Sequence, residues 1–534
     1  MPFFVKRKPK NFQTGTTMTK AKFIKMIIAL LIAVAVYFLP YEAFGVVINP
    51  VEKRIISIFA MAALFWILEP IPIWSTSVLV IVVMLLSVST SSILPFQTDA
   101  SGETFKNLIK YKEIMATFAD PTIMLFLGGF FLAAAATKYR LDMNLARVFL
   151  KPFGKQPKYL MLGIMIITAI FSMFMSNTAT TAMMLAILAP VIALFSDDDV
   201  GAKAAFALSI PLAANIGGMG TPIGTPPNAI ALKAMNELGL NVSFGKWMAF
   251  GVPYVIILII IAWFLLTRIF TIKAQSMELK VGDKFMKTPK AITVYVTFAV
   301  TVILWVLGDT IHGLDSNTIA MIPMAVFTVT GIITKKDLKS MEWDVLWLVA
   351  GGFALGVGLQ KTGLAADLIN SIPFASWPAF GLMIGVGIIC LFMANFMSHT
   401  STASLMVPLI AAVGVAVGGN LDPMGGVTAL LVSVAFASSL GMSLPISTPP
   451  NALAYATGHI DTKGMAKVGV TIGVLGMVLT YAMMYLLAQC HFFVTADAAK
   501  AAIKPKAAVV ETVPAAPSVN APTTVTVPAT AVAK

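Results

Sequence analysis

"NFMSHTSTASLM", residues 395–406, lies between two long apolar runs yet gathers Asn395, His399 and a series of hydroxyl side chains. A polar cluster inside such a run needs partners, because an unpaired polar group away from water is costly. The pattern has a second copy: "MFMSNTATTAMM" (173–184) begins 222 positions earlier. Two further pairs share that offset to within one residue. "GTPPNAIA" (224–231) matches "STPPNALA" (447–454), and "LGGFFLAAAATKYRLDMNLA" (127–146) matches "AGGFALGVGLQKTGLAADLI" (350–369). Three matches at one offset define an internal repeat, so the chain is read as two related halves.

The 534 residues are 58% hydrophobic and 11% charged, with a mean hydropathy of +0.88. A soluble domain carries roughly 25% charged residues, so the class is an all-α polytopic membrane protein. Its runs suit helices of about 20 residues, whereas closed barrels show short alternating segments. The first run, Met26 to Phe44, exceeds a signal-peptide core and is kept as a helix. Cys390 and Cys490 are far apart and not spaced as metal ligands, which leaves buried free thiols. The four histidines, at 312, 399, 459 and 491, form no ligand pattern either.

Eleven spans are expected near 26–44, 52–68, 72–94, 112–138, 203–235, 247–268, 290–309, 317–334, 343–363, 426–460 and 468–490. The apolar stretches 158–196 and 377–418 have polar centres and are read as hairpins that enter and leave on one side. The net charge of +13 then sorts by side. Lys and Arg collect in the N-terminus (Lys6, Arg7, Lys8, Lys10, Lys20, Lys22 and Lys25), in Lys138 to Lys158, in Arg268 to Lys290, in Lys335 to Lys339 and in Lys463 to Lys467. Segments 310–316 and 419–425 have none. Positive charge marks the cytoplasmic side, so the expected location is the cell membrane, multi-pass, with a cytoplasmic N-terminus. The basic balance is thus accounted for by loops facing the bilayer surface, with no nucleic acid as partner. The two hairpins then open to opposite sides, which makes the repeat inverted. The organisation expected is a basic N-terminus (1–25), N-terminal scaffold helices (26–111), a first half (112–270), a connecting loop with scaffold helices (271–342), a second half (343–490) and a disordered extracytoplasmic tail (491–534).

Inverted repeats with broken helices belong to secondary transporters, which bind substrate near the midplane. Each hairpin tip carries Ser-Asn/His-Thr. Each partner span is interrupted, by "GGMGTPIGTPPN" in one half and "MSLPISTPPN" in the other. Pro-Pro removes backbone donors and breaks a helix. Packing kinks with capping Ser, Thr and Asn would explain one such segment; their paired occurrence favours a site. Hydroxyls and free N–H groups at half-helix starts suit an anion, and two tips suit one with a negative group at each end. Neither motif holds Lys or Arg, so a dianion there calls for a co-bound hard cation on oxygen ligands.

"SNT" (176–178), "SHT" (398–400), "GTPPNA" (224–229) and "STPPNA" (447–452), in paired positions, resemble the motifs of the divalent anion/sodium symporter family. Members carry di- and tricarboxylates or sulfate, and the likeness in layout spans about 25–490. It implies a homodimer in the lipid bilayer, with scaffold domains and transport domains that move like an elevator. It implies substrate contacts at Ser176, Asn177, Thr178, Ser398, His399 and Thr400, with Thr225, Pro226, Thr448 and Pro449 lining the pocket. It implies a first Na⁺ site around Ser172, Ser176, Asn177 and Gly224, and no cofactor besides that coupling ion. The counterpart site would use Ala394, Met397, His399 and Ser447. There the chain departs from the family, with His in place of Asn and Ala394 in place of a hydroxyl. Imidazole offers nitrogen, or a positive charge once protonated, so the second Na⁺ site is expected to be absent. His399 then either donates to the substrate as a neutral ring, replaces the cation as His⁺, or only packs.

Both active readings move the coupling from Na⁺ symport toward exchange of one dicarboxylate, such as succinate or 2-oxoglutarate, for another. Na⁺-coupled dicarboxylate symport and sulfate transport remain the alternatives. A channel would need a continuous pore with a filter. An enzyme would need grouped acid, base or nucleophile residues, and no carboxylate pair is read inside the spans.

Overall fold

The computed structural model describes residues 19–40, 48–99, 101–141, 151–276, 286–365 and 378–493, with 144, 145, 148 and 367. The basic residues Lys6, Arg7, Lys8, Lys10, Arg147, Lys280 and Lys284 and the tail from 494 lie outside them. Among the described residues every named element is helical, beside two isolated β-bridges, Ser89–Ile109 and Thr98–Thr104.

The helices that build the fold are α1 (Lys20–Tyr37), α2 (Pro50–Leu68), α3 (Ile73–Ser87), α4 (Pro121–Lys138), α5 (Pro157–Ser172) and α6 (Asn177–Ile192). They continue with α7 (Val200–Gly218), α8 (Pro226–Glu237), α9 (Phe244–Ile269), α10 (Pro289–Leu307), α11 (Ser316–Val329) and α12 (Trp343–Lys361). The chain closes with α13 (Ala379–Phe396), α14 (His399–Val417), α15 (Gly426–Ser439), α16 (Pro449–Tyr455) and α17 (Thr462–Gln489). Proline opens α2, α4, α5, α8, α10 and α16 at the first helical position, where no N–H is needed. Asn49 and Glu52 form a capping box on α2. The first helix ends at Tyr37 rather than at the expected 44: Pro40 bars Leu39 from helical geometry. It starts early, at Lys20, because the Thr19 hydroxyl caps it.

Among the described residues eight helices are long and apolar enough to cross a membrane. Each polar-centred stretch is a pair of helices, α5–α6 and α13–α14. Each interrupted span is likewise a pair, α7–α8 and α15–α16. The halves interlock reciprocally. α8 packs on α14 and α15, while its counterpart α16 packs on α6 and α7. Every tip and every break therefore meets elements of both halves.

Two glycines permit the closest crossings of hairpin on broken helix. An ideal Cβ at Gly217 would lie 2.5 Å from the Ala169 Cα, and one at Gly441 would lie 2.4 Å from the Ala394 Cβ. No side chain fits there, which is how small residues let membrane helices approach.

Candidate functional site

Both hairpin tips share one local geometry. Ser176 (φ −62°, ψ 142°) and Ser398 (φ −64°, ψ 148°) are extended N-caps of α6 and α14. Their hydroxyls accept from Ala179 N at 3.2 Å and Ser401 N at 3.0 Å. Each tip is pinned to its broken helix through the carbonyl at its turn. Thr221 Oγ1 donates to the Met173 carbonyl, and Ser447 Oγ donates to the Asn395 carbonyl at 2.9 Å. The amides after Pro-Pro hold the breaks closed. Asn228 Nδ2 donates to the Gly218 and Thr221 carbonyls at 3.0 and 2.8 Å; Asn451 Nδ2 donates to those of Met442 and Leu444 at 2.8 and 3.1 Å. Thr225 and Thr448, extended ahead of Pro-Pro, are buried. With two prolines at their starts, α8 and α16 offer fewer free N–H groups than α6 and α14. The anion-attracting ends are therefore the two tips.

All ten residues expected to contact or line the substrate pocket border a single cavity of about 330 Å³: Ser176, Asn177, Thr178, Thr225, Pro226, Ser398, His399, Thr400, Thr448 and Pro449. Gly224 and Ser447 border it too, whereas Ser172, Ala394 and Met397 lie behind it, buried.

The two expected cation positions differ in their atoms. Behind the first tip, one end of the Asn177 amide faces three oxygens: Ser172 Oγ at 2.5 Å and the Ala214 and Gly224 carbonyls at 3.2 Å each. With Nδ2 at that end the amide donates to all three, and Ser172 donates to the Ala214 carbonyl at 2.7 Å. With Oδ1 there, four oxygens converge, a donor set that fits a hard cation. Behind the second tip, His399 Nε2 lies 2.8 Å from the Gly441 carbonyl. Ala394, at the position of Ser172, presents a methyl group to Gly441.

Three polar residues of the cavity border escaped the sequence reading. Asn215, 1% exposed in the last turn of α7, reaches the other half, with Nδ2 at 3.4 Å from Thr448 Oγ1 and 3.3 Å from Asn451 Oδ1. An amide among buried, mostly apolar residues near the end of α7 was the available signal. Glu342 and Asp344 also border the cavity. No carboxylate pair was read inside the spans; these two straddle the start of 343–363, one on each side of the boundary. Glu342 sits 222 positions after Asp120, and both are helix N-caps, so the repeat marks the position.

A family model described as the sodium:sulfate symporter transmembrane region matches residues 20–493. An uncharacterized transporter of Haemophilus influenzae is 29% identical over 475 residues, covering 84% of this chain and 96% of that protein. The sodium-dependent dicarboxylate transporter SdcS of Staphylococcus saprophyticus is 30% identical over 470 residues, covering 81% and 85%. In fold, the chain is similar to the Alcanivorax borkumensis YdaH transporter, with a TM-score of 0.53 at 14% identity, covering 78% of this chain and 98% of that one. With a family model matched over nearly its whole described length, the chain belongs to the sodium:sulfate symporters, the divalent anion/sodium symporter family.

Proposed function

We propose that this transporter carries dicarboxylates of the succinate and 2-oxoglutarate kind by exchange, taking one in as another leaves. One observation carries the reading: both hairpin tips and both Pro-Pro breaks converge on one cavity between the halves. Its volume of about 330 Å³ falls at the small end of ligand pockets, which run from about 300 to 1,000 Å³. Two helix N-termini supply donors for two carboxylates. Two tips separated by a cavity suit an elongated dianion better than sulfate, which has a single centre. The dicarboxylate named for the SdcS relative agrees with this choice.

The exchange mode is supported by the second tip. There the Gly441 carbonyl, a natural cation ligand, already accepts the His399 imidazole N–H, and Ala394 supplies no oxygen. The ring does the work of an amide and an ion together, so this half needs no Na⁺. The first tip keeps an oxygen set suited to Na⁺, which supports Na⁺-coupled symport as the second reading, in line with the sodium dependence named for SdcS. In both readings the interlocked unit of α5–α8 and α13–α16 moves as the transport domain against scaffold helices. The protein works as a homodimer in the cell membrane, with its N-terminus in the cytoplasm and its tail outside.

The test is uptake of labelled succinate into proteoliposomes, preloaded or not with succinate, with and without a Na⁺ gradient. Exchange predicts that uptake requires internal dicarboxylate and ignores the gradient. Uptake that requires the gradient and ignores preloading gives the function to symport. Flux that neither saturates nor shows counterflow points to a channel.

A further inference from the structure

The Ser176 hydroxyl has one proton to give, and it donates that proton to Glu342 Oε1 at 2.6 Å. The Ser176 Oγ in turn accepts from Ala179 N and so caps α6. Glu342 stands at the N-cap position of α12 but makes no capping bond there. Its repeat counterpart behaves differently: Asp120 caps α4 through Thr122 N at 2.8 Å and pairs with Lys233 at 2.5 Å. Glu342 is turned away from its own helix toward the start of another, where the partial positive charge of the backbone favours an anion. At the second tip the Ser398 hydroxyl instead meets Ser401 Oγ at 2.7 Å, within its own helix.

The cavity border also includes Asp344, and among the described residues no Lys or Arg is part of it. A dianion added beside two fixed carboxylates, with the Ser176 proton already committed, meets repulsion and lacks one donor. We propose that Glu342 is a resident carboxylate that occupies the first half of the anion cradle in the empty carrier and is displaced from Ser176 by a carboxylate of the substrate. The proposal rests on reading the cavity as the anion site. It also gives exchange a physical basis. Glu342 leads α12, which packs on α3 and α14, while Ser176 belongs to the α5–α6 hairpin. Their bond tethers the first tip to another element until an anion arrives, so the empty carrier is held and the loaded one is released.

The experiment compares wild type with Glu342→Gln and Glu342→Ala, reading succinate affinity by calorimetry and uptake into vesicles with and without internal succinate. Gln keeps the shape without the charge, and Ala removes the competitor altogether. Both variants are expected to bind succinate roughly tenfold more tightly, the scale of one hydrogen bond to a charged group. The Ala variant is also expected to take up succinate into empty vesicles at a rate approaching its rate into preloaded ones. Unchanged or weaker affinity in both variants, with wild-type counterflow intact, overturns the proposal. Wild type that exchanges sulfate and not succinate overturns the dicarboxylate reading alone; Glu342 is then judged by the same variants with sulfate.

Discussion

His399 is where the two halves stop matching, and the mismatch consists of two side chains, His399 for Asn177 and Ala394 for Ser172. At the first tip Asn177 turns an amide toward Ser172 and two carbonyls; at the second an imidazole nitrogen meets one carbonyl and a methyl replaces the hydroxyl. Restoring the oxygens should restore the ion. In His399→Asn with Ala394→Ser, the new amide and hydroxyl reproduce the donor set of the first half, and Ser adds a single atom at the tight contact with Gly441. Succinate uptake by this double variant is expected to become Na⁺-dependent, rising on the order of tenfold between Na⁺-free and Na⁺-containing buffer. Uptake with unchanged Na⁺ response would count against the account of both residues. His399→Asn alone separates the parts. If the imidazole N–H is what replaces the cation, the single change lowers affinity in Na⁺-free buffer even without the new hydroxyl.

At the scale of elements, much of the fold was legible because its signals are local. Pro-Pro after an extended Thr, Ser at a cap and a polar tip between apolar runs each dictate a helix start or stop from a few residues. Helix ends set by a cap ahead of the apolar run or by a lone proline within it, such as Thr19 and Pro40 around α1, were less legible. Contacts made by single polar side chains across elements left only weak traces. Lys233 is the clearest case. Within the apolar stretch 203–235 it reads as an outlier near a helix end, yet it lies 13% exposed between Asp120 at 2.5 Å and Glu237 at 3.1 Å. It also stands over the Phe353 ring of α12 at 4.3 Å. It therefore joins α8 to α4 and α12. Lys233→Met leaves Asp120 largely buried without its cation, at a cost of about 2–4 kcal/mol, and should lower the melting temperature of the purified protein. Adding Asp120→Asn removes the stranded charge and should recover part of the loss. A full additive loss in the double variant would show that the two residues do not act as a pair.

At the scale of the molecule, the repeat made a common cavity legible, since ten of the residues that border it could be grouped only because both copies of each motif had to meet. What it did not carry were groups outside the motifs, Asn215, Glu342 and Asp344, which reach the cavity through tertiary packing. Orientation in the membrane is a further whole-chain property, and two native thiols make it measurable. α17 spans 28 residues, about 42 Å at 1.5 Å per residue, more than the roughly 30 Å of a hydrocarbon core. Lys463 and Lys467 lie at one end of it, and Cys490 follows the other end, exposed. Cys390 is buried and stays silent. If the basic end is cytoplasmic, a membrane-impermeant maleimide added to intact cells should label the protein at Cys490, and Cys490→Ser should abolish the signal. Labelling that appears only after lysis would place the end of α17 in the cytoplasm. That result would invert the whole alternation of loops, and with it the side to which each hairpin opens.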